Sequence, residues 1–269
     1  MQLLKTRKIT TEPVPGRVAA GSLQLELGVA QTIGKRQEQQ DGFLVRTFLE
    51  NNSLLAAVAD GMGGLSCGSV AAKMALDTIT FELEQKLAPD MDSGQLSQLL
   101  VETVETAGKK LASWCTEQQV AAGTTLAMVL LYQETLYFCS VGDSRIYLCR
   151  EGEVFQINEE HSLENYLLRC ELKQEEVSGL SGSIYSYLGQ EPIAEIDYSR
   201  KGFPLLPGDV LLLCSDGFYQ AVSDAEILAN LSAGNVQKQT ESLLKQVLKK
   251  KIEHQDNATL LMVRCQERS

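Results

Sequence analysis

Four aspartates stand where apolar runs meet glycine: Asp41 before Gly42, Asp60 before Gly61, Asp143 after Gly142 and Asp216 before Gly217. A fifth, Asp256, begins D-N-A-T just ahead of the last apolar run. The fullest surroundings are V-A-D-G-M-G-G at 58–64 and V-L-L-L-C-S-D-G at 210–217. Each reads as a buried strand ending in a carboxylate, followed by a glycine that lets backbone approach something closely. Mg2+ and Mn2+ favour carboxylate, carbonyl and water oxygens, and Mg2+ keeps several waters. Strand ends of this kind, brought together, make an oxygen-lined cup for two such ions. Two ions about 3.5–4 Å apart can activate a bridging water and clamp a phosphoryl oxygen. The chemistry so described is hydrolysis of a phosphate ester without a covalent intermediate. Arg36, in the run R-Q-E-Q-Q-D that ends at Asp41, adds a planar guanidinium able to hold a phosphoryl dianion by two parallel bonds.

Each signal alone has a plainer reading. Asp-Gly is a standard hairpin turn, Asp256-Asn257 fits a turn leading into a strand, and Arg36 beside Lys35 fits a solvated basic turn. A hairpin, however, needs one glycine after Asp60, whereas Gly61, Gly63 and Gly64 supply three. The set is more telling than its members.

The elements that must position these residues follow from pattern. Strands are predicted at 25–30, 43–47 and 54–59. A helix follows with Ala72, Leu76, Ile79, Leu83 and Leu87 on one stripe. A second runs over about 94–118, with Leu96, Leu100, Val104, Ala107, Leu111 and Trp114 on one face. Short runs at 124–132, 135–141, 144–150 and 153–157, separated by turn pairs, describe an antiparallel meander. Residues 161–190 read as irregular and helical in part. A strand at 210–214 precedes a helix opened by the capping box Ser223 and Glu226. A helix over 236–250 and a strand over 259–263 close the pattern. The fold class is α+β: two stacked antiparallel sheets with a helix pair outside each, a four-layer α-β-β-α sandwich. Residues 1–22 are expected to be an N-terminal extension with at most an edge strand, and 23–266 a single domain.

Bulk properties narrow the function. The chain has 269 residues, enough to bury a large core without staples. A net charge of −11 is a poor match to nucleic acid or anionic lipid and favours attraction of cations. Seven cysteines, an odd number with no C-x-x-C, read as reduced core residues. No signal peptide is expected, and no window approaches the roughly 18 apolar residues of a membrane span. The expectation is a cytoplasmic, soluble monomer with no nucleic-acid or membrane partner.

Taken in order, the run R-x-x-x-x-D at 36–41, V-A-D-G-M-G-G, G-T-T at 123–125, V-G-D-S-R-I-Y-L at 141–148, L-C-S-D-G at 213–217 and D-N-A-T at 256–259 resemble the metal-dependent protein phosphatases. These are the type 2C serine/threonine phosphatases, in their bacterial form. The resemblance covers about residues 24–265. It implies the α-β-β-α sandwich with a metal centre between the sheets, and hydrolysis of phosphoserine and phosphothreonine by direct attack of a metal-bridging water. It implies that Asp60 bridges two Mn2+ or Mg2+ ions, that the Gly61 carbonyl binds one of them, and that Asp216 and Asp256 complete the coordination of the second ion. Asp41 would act through a metal-held water, Arg36 would bind substrate phosphate, and Asp143 with Asp216 matches the place of a third, looser ion. The partner implied is a phosphoprotein whose serine/threonine kinase the enzyme counters.

The chain also departs from the family pattern. Gln39 and Gln40 stand where an Asn and a Glu or Gln are usual. Met62 occupies the position that carries a histidine general acid in eukaryotic relatives, and bacterial relatives share the methionine. N-E-E-H-S at 158–162 keeps His161, read as a structural histidine, and Ser162, while His254 reads as a surface residue. The stretch 163–190 corresponds to a flap over the cleft, with Ser186 in place of a common arginine. The alternatives are a catalytically weak or inactive pseudophosphatase acting as a binding module, a regulatory phosphatase dedicated to one small protein, and a nucleotide or sugar-phosphate hydrolase.

Overall fold

An apolar residue at every position from Leu54 to Ala59 makes sense only for a strand covered on both faces. The computed structural model, which describes residues 9–10, 17–50, 52–64, 66–172, 182–231 and 234–268, has that arrangement. Alternate side chains part company along β5 (Ser53–Gly63). Leu54, Ala56 and Val58 enter a core between two sheets, while Leu55, Ala57 and Ala59 enter a core under helices.

One sheet contains β1 (Ile9–Thr10), β2 (Arg17–Ala20), β3 (Leu23–Thr32), β9 (Arg145–Arg150), β10 (Glu153–Gln156), β13 (Val210–Cys214) and β14 (Ala258–Glu267). The other contains β4 (Asp41–Phe48), β5, β6 (Ala122–Thr124), β7 (Leu126–Tyr132), β8 (Thr135–Val141), β11 (Asp197–Tyr198) and β12 (Phe203–Pro204). All the strand pairings in both are antiparallel.

Helices α1 (Cys67–Lys86) and α2 (Ser93–Gln118) cover the second sheet with Ala72, Leu76, Ile79, Leu83, Leu96, Leu100 and Val104. On the first sheet lie α4 (Asp216–Tyr219), α5 (Asp224–Asn230) and α6 (Val236–Lys249), which contribute Phe218, Ile227, Leu243, Leu244 and Val247. Ser223 and Glu226 form the expected capping box, and Asp92 with Gln95 forms a second one at the start of α2. The layers are therefore α-β-β-α.

Three details differ from the sequence pattern. The strand expected over 124–132 is two, because the chain breaks at Thr125 to bond Asp60: the Thr125 N–H donates to the Asp60 carbonyl and the Thr125 hydroxyl accepts the Asp60 N–H. The expected extension carries two short strands on β3, at residues 9–10 and 17–20, where at most one is expected. The last strand continues to Glu267, since β3 offers an unbroken ladder from Thr32 to Leu23 that polar residues can pair with as well as apolar ones. In the flap region, α3 (Leu163–Arg169) is helical as expected, and residues 173–181 lie outside the described residues. Among the described residues no helix is long and apolar enough to cross a membrane.

Candidate active site

The acids singled out above gather at one end of the sandwich, and both sheets contribute. Asp41 opens β4 directly opposite Asp60 of β5. Asp216 follows β13 and starts α4, while Asp256 sits two residues before β14. Asp143 lies in the turn from β8 to β9, where the chain crosses from one sheet to the other. Arg36, Gln40, Asp60, Gly61, Met62, Asp143, Asp216 and Asp256 line a cleft of about 300 Å³, with Asp41 buried beside it.

The hairpin reading fails at all three Asp-Gly sites. Asp60-Gly61 is inside a strand, Asp216-Gly217 opens a helix and Asp41-Gly42 opens a strand. Only Asp143 occupies a turn, beside Gly142 at φ +96°. Glycine is required elsewhere by contact. A Cβ on Gly61 would stand 2.0 Å from the Gly68 carbonyl oxygen, and one on Gly217 2.0 Å from that of Asn257. These approaches seat α1 and the start of β14 against the acid-bearing strand ends.

Hydroxyl and amide groups hold the acids in place. Ser215 and Thr259 each donate a hydroxyl hydrogen bond of 2.7 Å to Asp41 Oδ2. Asn257 donates to the Ile33 and Glu38 carbonyls at 3.0 Å and accepts the Gln40 N–H at 2.8 Å, which fixes the loop carrying Arg36. Gln39 accepts the Asp41 N–H, and the Gln40 side chain donates to the Gly63 carbonyl. The two unusual glutamines are thus tied into backbone. Ser215, Thr259, Thr125 and Asn257 were missed as functional by sequence reasoning that followed carboxylates alone. Their signal was their place inside S-D-G, D-N-A-T and G-T-T.

Crowding sets the electrostatics. Burial pushes Asp41 up to about 7 despite the Thr259 and Ser215 hydrogen bonds, with Asp216 and Asp256 adding repulsion. Burial also lifts Asp60 well above the carboxylate range, followed by repulsion from Asp41, Asp216 and Asp143. Asp143 rises to about 7 through burial and then Asp216, and Asp216 rises through burial and then Asp256. Each shift has the same cause: negative charge taken out of water next to negative charge. Arg36 answers part of it through an ion pair with Asp256.

Divalent cations fit this chemistry. The donors are all oxygens, and Asp41 Oδ1 and Asp216 Oδ1 are buried without a hydrogen-bond partner. Among the described residues no three His, Cys, Asp or Glu side chains meet as a ready ion cage. The acids ring the cleft instead, and an ion held there would need carbonyl and water oxygens beside a few carboxylates, a donor set that Mg2+ accepts.

His161 is fully buried, and burial pulls it down to about 4. His254 is exposed, and the Ser186 hydroxyl bonds the Glu195 backbone at both its N–H and its carbonyl.

Residues 30–255 match the protein phosphatase 2C family. The chain belongs to that family. It is 31% identical over 178 residues to the serine/threonine phosphatase stp of Listeria innocua, an alignment covering 64% of this chain and 69% of that one. Among solved structures, the S. agalactiae serine/threonine phosphatase superposes with a TM-score of 0.79 at 26% identity, over 89% of this chain and 99% of that one. The catalytic domain of the phosphatase PstP in complex with two manganese ions superposes with a TM-score of 0.72 at 26% identity, over 91% and 99%. As a member of the 2C family the chain is a protein phosphatase of the hydrolase class.

Proposed function

We propose that this phosphatase hydrolyses phosphoserine and phosphothreonine in proteins, using two divalent cations held by the cleft acids, and that it counters a serine/threonine kinase. The observation that carries this reading is the convergence of carboxylates from both sheets on one cleft, with two buried carboxylate oxygens left unpartnered. In this reading Asp60, the Gly61 carbonyl, Asp216 and Asp256 would hold the ions, all of them lining the cleft. Asp41, buried beside the cleft, would act through water, and Asp143 with Asp216 would serve a third, weaker ion. Bound Mn2+ or Mg2+ would supply an activated water nucleophile and offset charge on the phosphoryl group.

The chain's own residues do the rest. Arg36, its side chain 59% exposed at the cleft, is available to turn from Asp256 to an incoming phosphoryl dianion and orient it by paired N–H bonds. Ser215 and Thr259 hold Asp41 Oδ2, which leaves Oδ1 to accept from water. Met62 lines the cleft and has no proton to give, so the leaving alcohol takes its proton from water. No observation in the site favours an inactive binding module, because every acid that the chemistry needs is present and gathered.

The test is hydrolysis of p-nitrophenyl phosphate and of a phosphothreonine peptide, with Mn2+, Mg2+ or EDTA, beside Asp216→Ala. Turnover that needs a divalent cation and disappears in the variant is expected. A folded protein inert with both cations would leave the binding-module reading standing.

A further inference from the structure

The turn that carries Asp143 is gripped from two sides. Gly142 and His161 exchange two hydrogen bonds: the Gly142 N–H donates to His161 Nδ1 at 3.1 Å, and the His161 N–H donates to the Gly142 carbonyl at 2.8 Å. Opposite, a Cβ on Gly142 would stand 2.7 Å from the Thr125 methyl, and the Thr125 and Ser144 hydroxyls bond at 2.7 Å. Asn158 adds a bond from Nδ2 to the Ser144 carbonyl at 2.9 Å. Both neighbours of Asp143 are thereby fixed, while its own carboxylate meets its own backbone N–H and the Tyr219 hydroxyl, the latter 3.4 Å away.

His161 also faces the flap. Its carbonyl accepts the Tyr185 N–H at 3.0 Å, and the two rings lie 5.7 Å apart. The Tyr185 hydroxyl bonds Glu195 and Arg169, the last residue of α3, and Ser162 caps that helix while bridging to Ile184. The two ends of the flap meet beside this one imidazole. Because Nδ1 accepts from Gly142, the ring must be the neutral form with its proton on Nε2. Nε2 is buried without a partner. A side chain kept there for packing alone would be better replaced by an apolar one.

We propose that His161 is a positioning residue. Its Nδ1 bond to Gly142 sets the Asp143 carboxylate and anchors that turn to the base of the flap, so the cation held at Asp143 depends on it. The proposal rests on the reading of Asp143 as an ion ligand. It differs from simple core filling in one respect: the acceptor matters, not the volume.

The experiment is a Mn2+ titration of chelator-stripped protein by calorimetry, with Gly142 amide exchange measured in parallel. The variants are His161→Leu, His161→Asn, His161→Gln and Asp143→Ala. Asparagine can return an acceptor at the place of Nδ1, whereas leucine cannot, and glutamine reaches instead to the place of Nε2. The weak Mn2+ site is expected to vanish in Asp143→Ala. In His161→Leu it should weaken about tenfold, the usual effect of losing a group that orients a ligand, and Gly142 exchange should quicken. His161→Asn should restore both, and His161→Gln, which stands in if the leucine variant does not fold, should restore neither. Loss of the weak site in Asp143→Ala together with its retention in both His161→Leu and His161→Gln would refute the role of His161. Equal impairment of the asparagine and leucine variants would reduce that role to packing. Wild-type Mn2+ binding by Asp143→Ala would remove the Asp143 reading and this proposal with it.

Discussion

The two ends of this sandwich treat buried charge in opposite ways. Away from the acid cleft, at the far ends of β9 and β13, Asp209 is almost wholly buried but meets Arg150 through two bonds, 2.8 and 2.6 Å long, and accepts the Leu206 N–H at 2.7 Å. Its charge is answered inside the chain. At the cleft end Asp41, Asp60, Asp143 and Asp216 repel one another, and Arg36, paired with Asp256, offsets part of that charge at Asp216. Cavity size does not separate the ends. The hollow beside Arg150 and Arg264 is about 690 Å³ and the acid cleft about 300 Å³. What separates them is whether the fold completes its own electrostatics or leaves that to ions from solution.

The sharpest way to break this contrast is to delete one acid at each end. Asp216→Ala should abolish turnover and leave the thermal midpoint of the cation-stripped protein unchanged or raised, because it relieves repulsion. Asp209→Ala should do the reverse. It strands the Arg150 guanidinium, partly exposed at 28%, and should lower stability by about 2–3 kcal/mol, with kcat per folded molecule unchanged. Chemical denaturation and steady-state assays on both variants decide it. If Asp216→Ala were the less stable protein, the cleft would be a structural ion network and not a site left open for cations.

A smaller effect is expected from the groups that hold the acids. Thr259→Val keeps the shape of a β-branched side chain and removes one of the two hydroxyls on Asp41 Oδ2. Losses in Mn2+ affinity or turnover of about 10–100-fold are usual for such positions. A Mn2+ titration of activity checks it, and a variant equal to wild type would mean Ser215 alone suffices. Smaller again, Arg36→Ala should raise KM for a phosphopeptide about tenfold with little change in kcat, the pattern of lost uniform binding. A fall in kcat with KM intact would move Arg36 from binding phosphate to the chemical step.

Much of this was legible in the sequence because burial on two faces leaves an unmistakable run. Leu54 to Ala59 and Val210 to Cys214 could be read as central strands, and the acid after each as a strand-end group. The helix pairs were legible from three-and-four spacing and from Ser223 and Glu226. Partnership across the chain was not. Nothing in the spacing of Thr259 and Asp41 says that they touch, nor that Thr125 breaks a strand to bond Asp60. Hydroxyl groups are common on surfaces, and only folding shows which are buried against a carboxylate. The bounds of the edge strand at residues 17–20 were not legible for a related reason: an edge strand is specified by its partner β3 more than by its own pattern.

The mildest perturbation, pH, sharpens the contrast without any substitution. For the cation-stripped protein the folded state raises Asp41 and Asp143 to about 7, above the ordinary carboxylate range of an unfolded chain. Between those limits the folded state binds the extra protons. Stability from these groups is fully present at low pH and is lost as pH rises through about 7. Mn2+ competes with protons for the same oxygens, so it stabilises most where they are ionised. The gain in thermal midpoint on adding Mn2+ should be larger at pH 8 than at pH 5.5, each kcal/mol moving the midpoint by about 2–4 °C. Asp41→Asn should flatten the slope in EDTA, since it removes one titrating group from the crowd. An equal Mn2+ gain at both pH values would mean that the cation binds away from the buried acids. The cleft end would then be as self-contained as the end around Asp209.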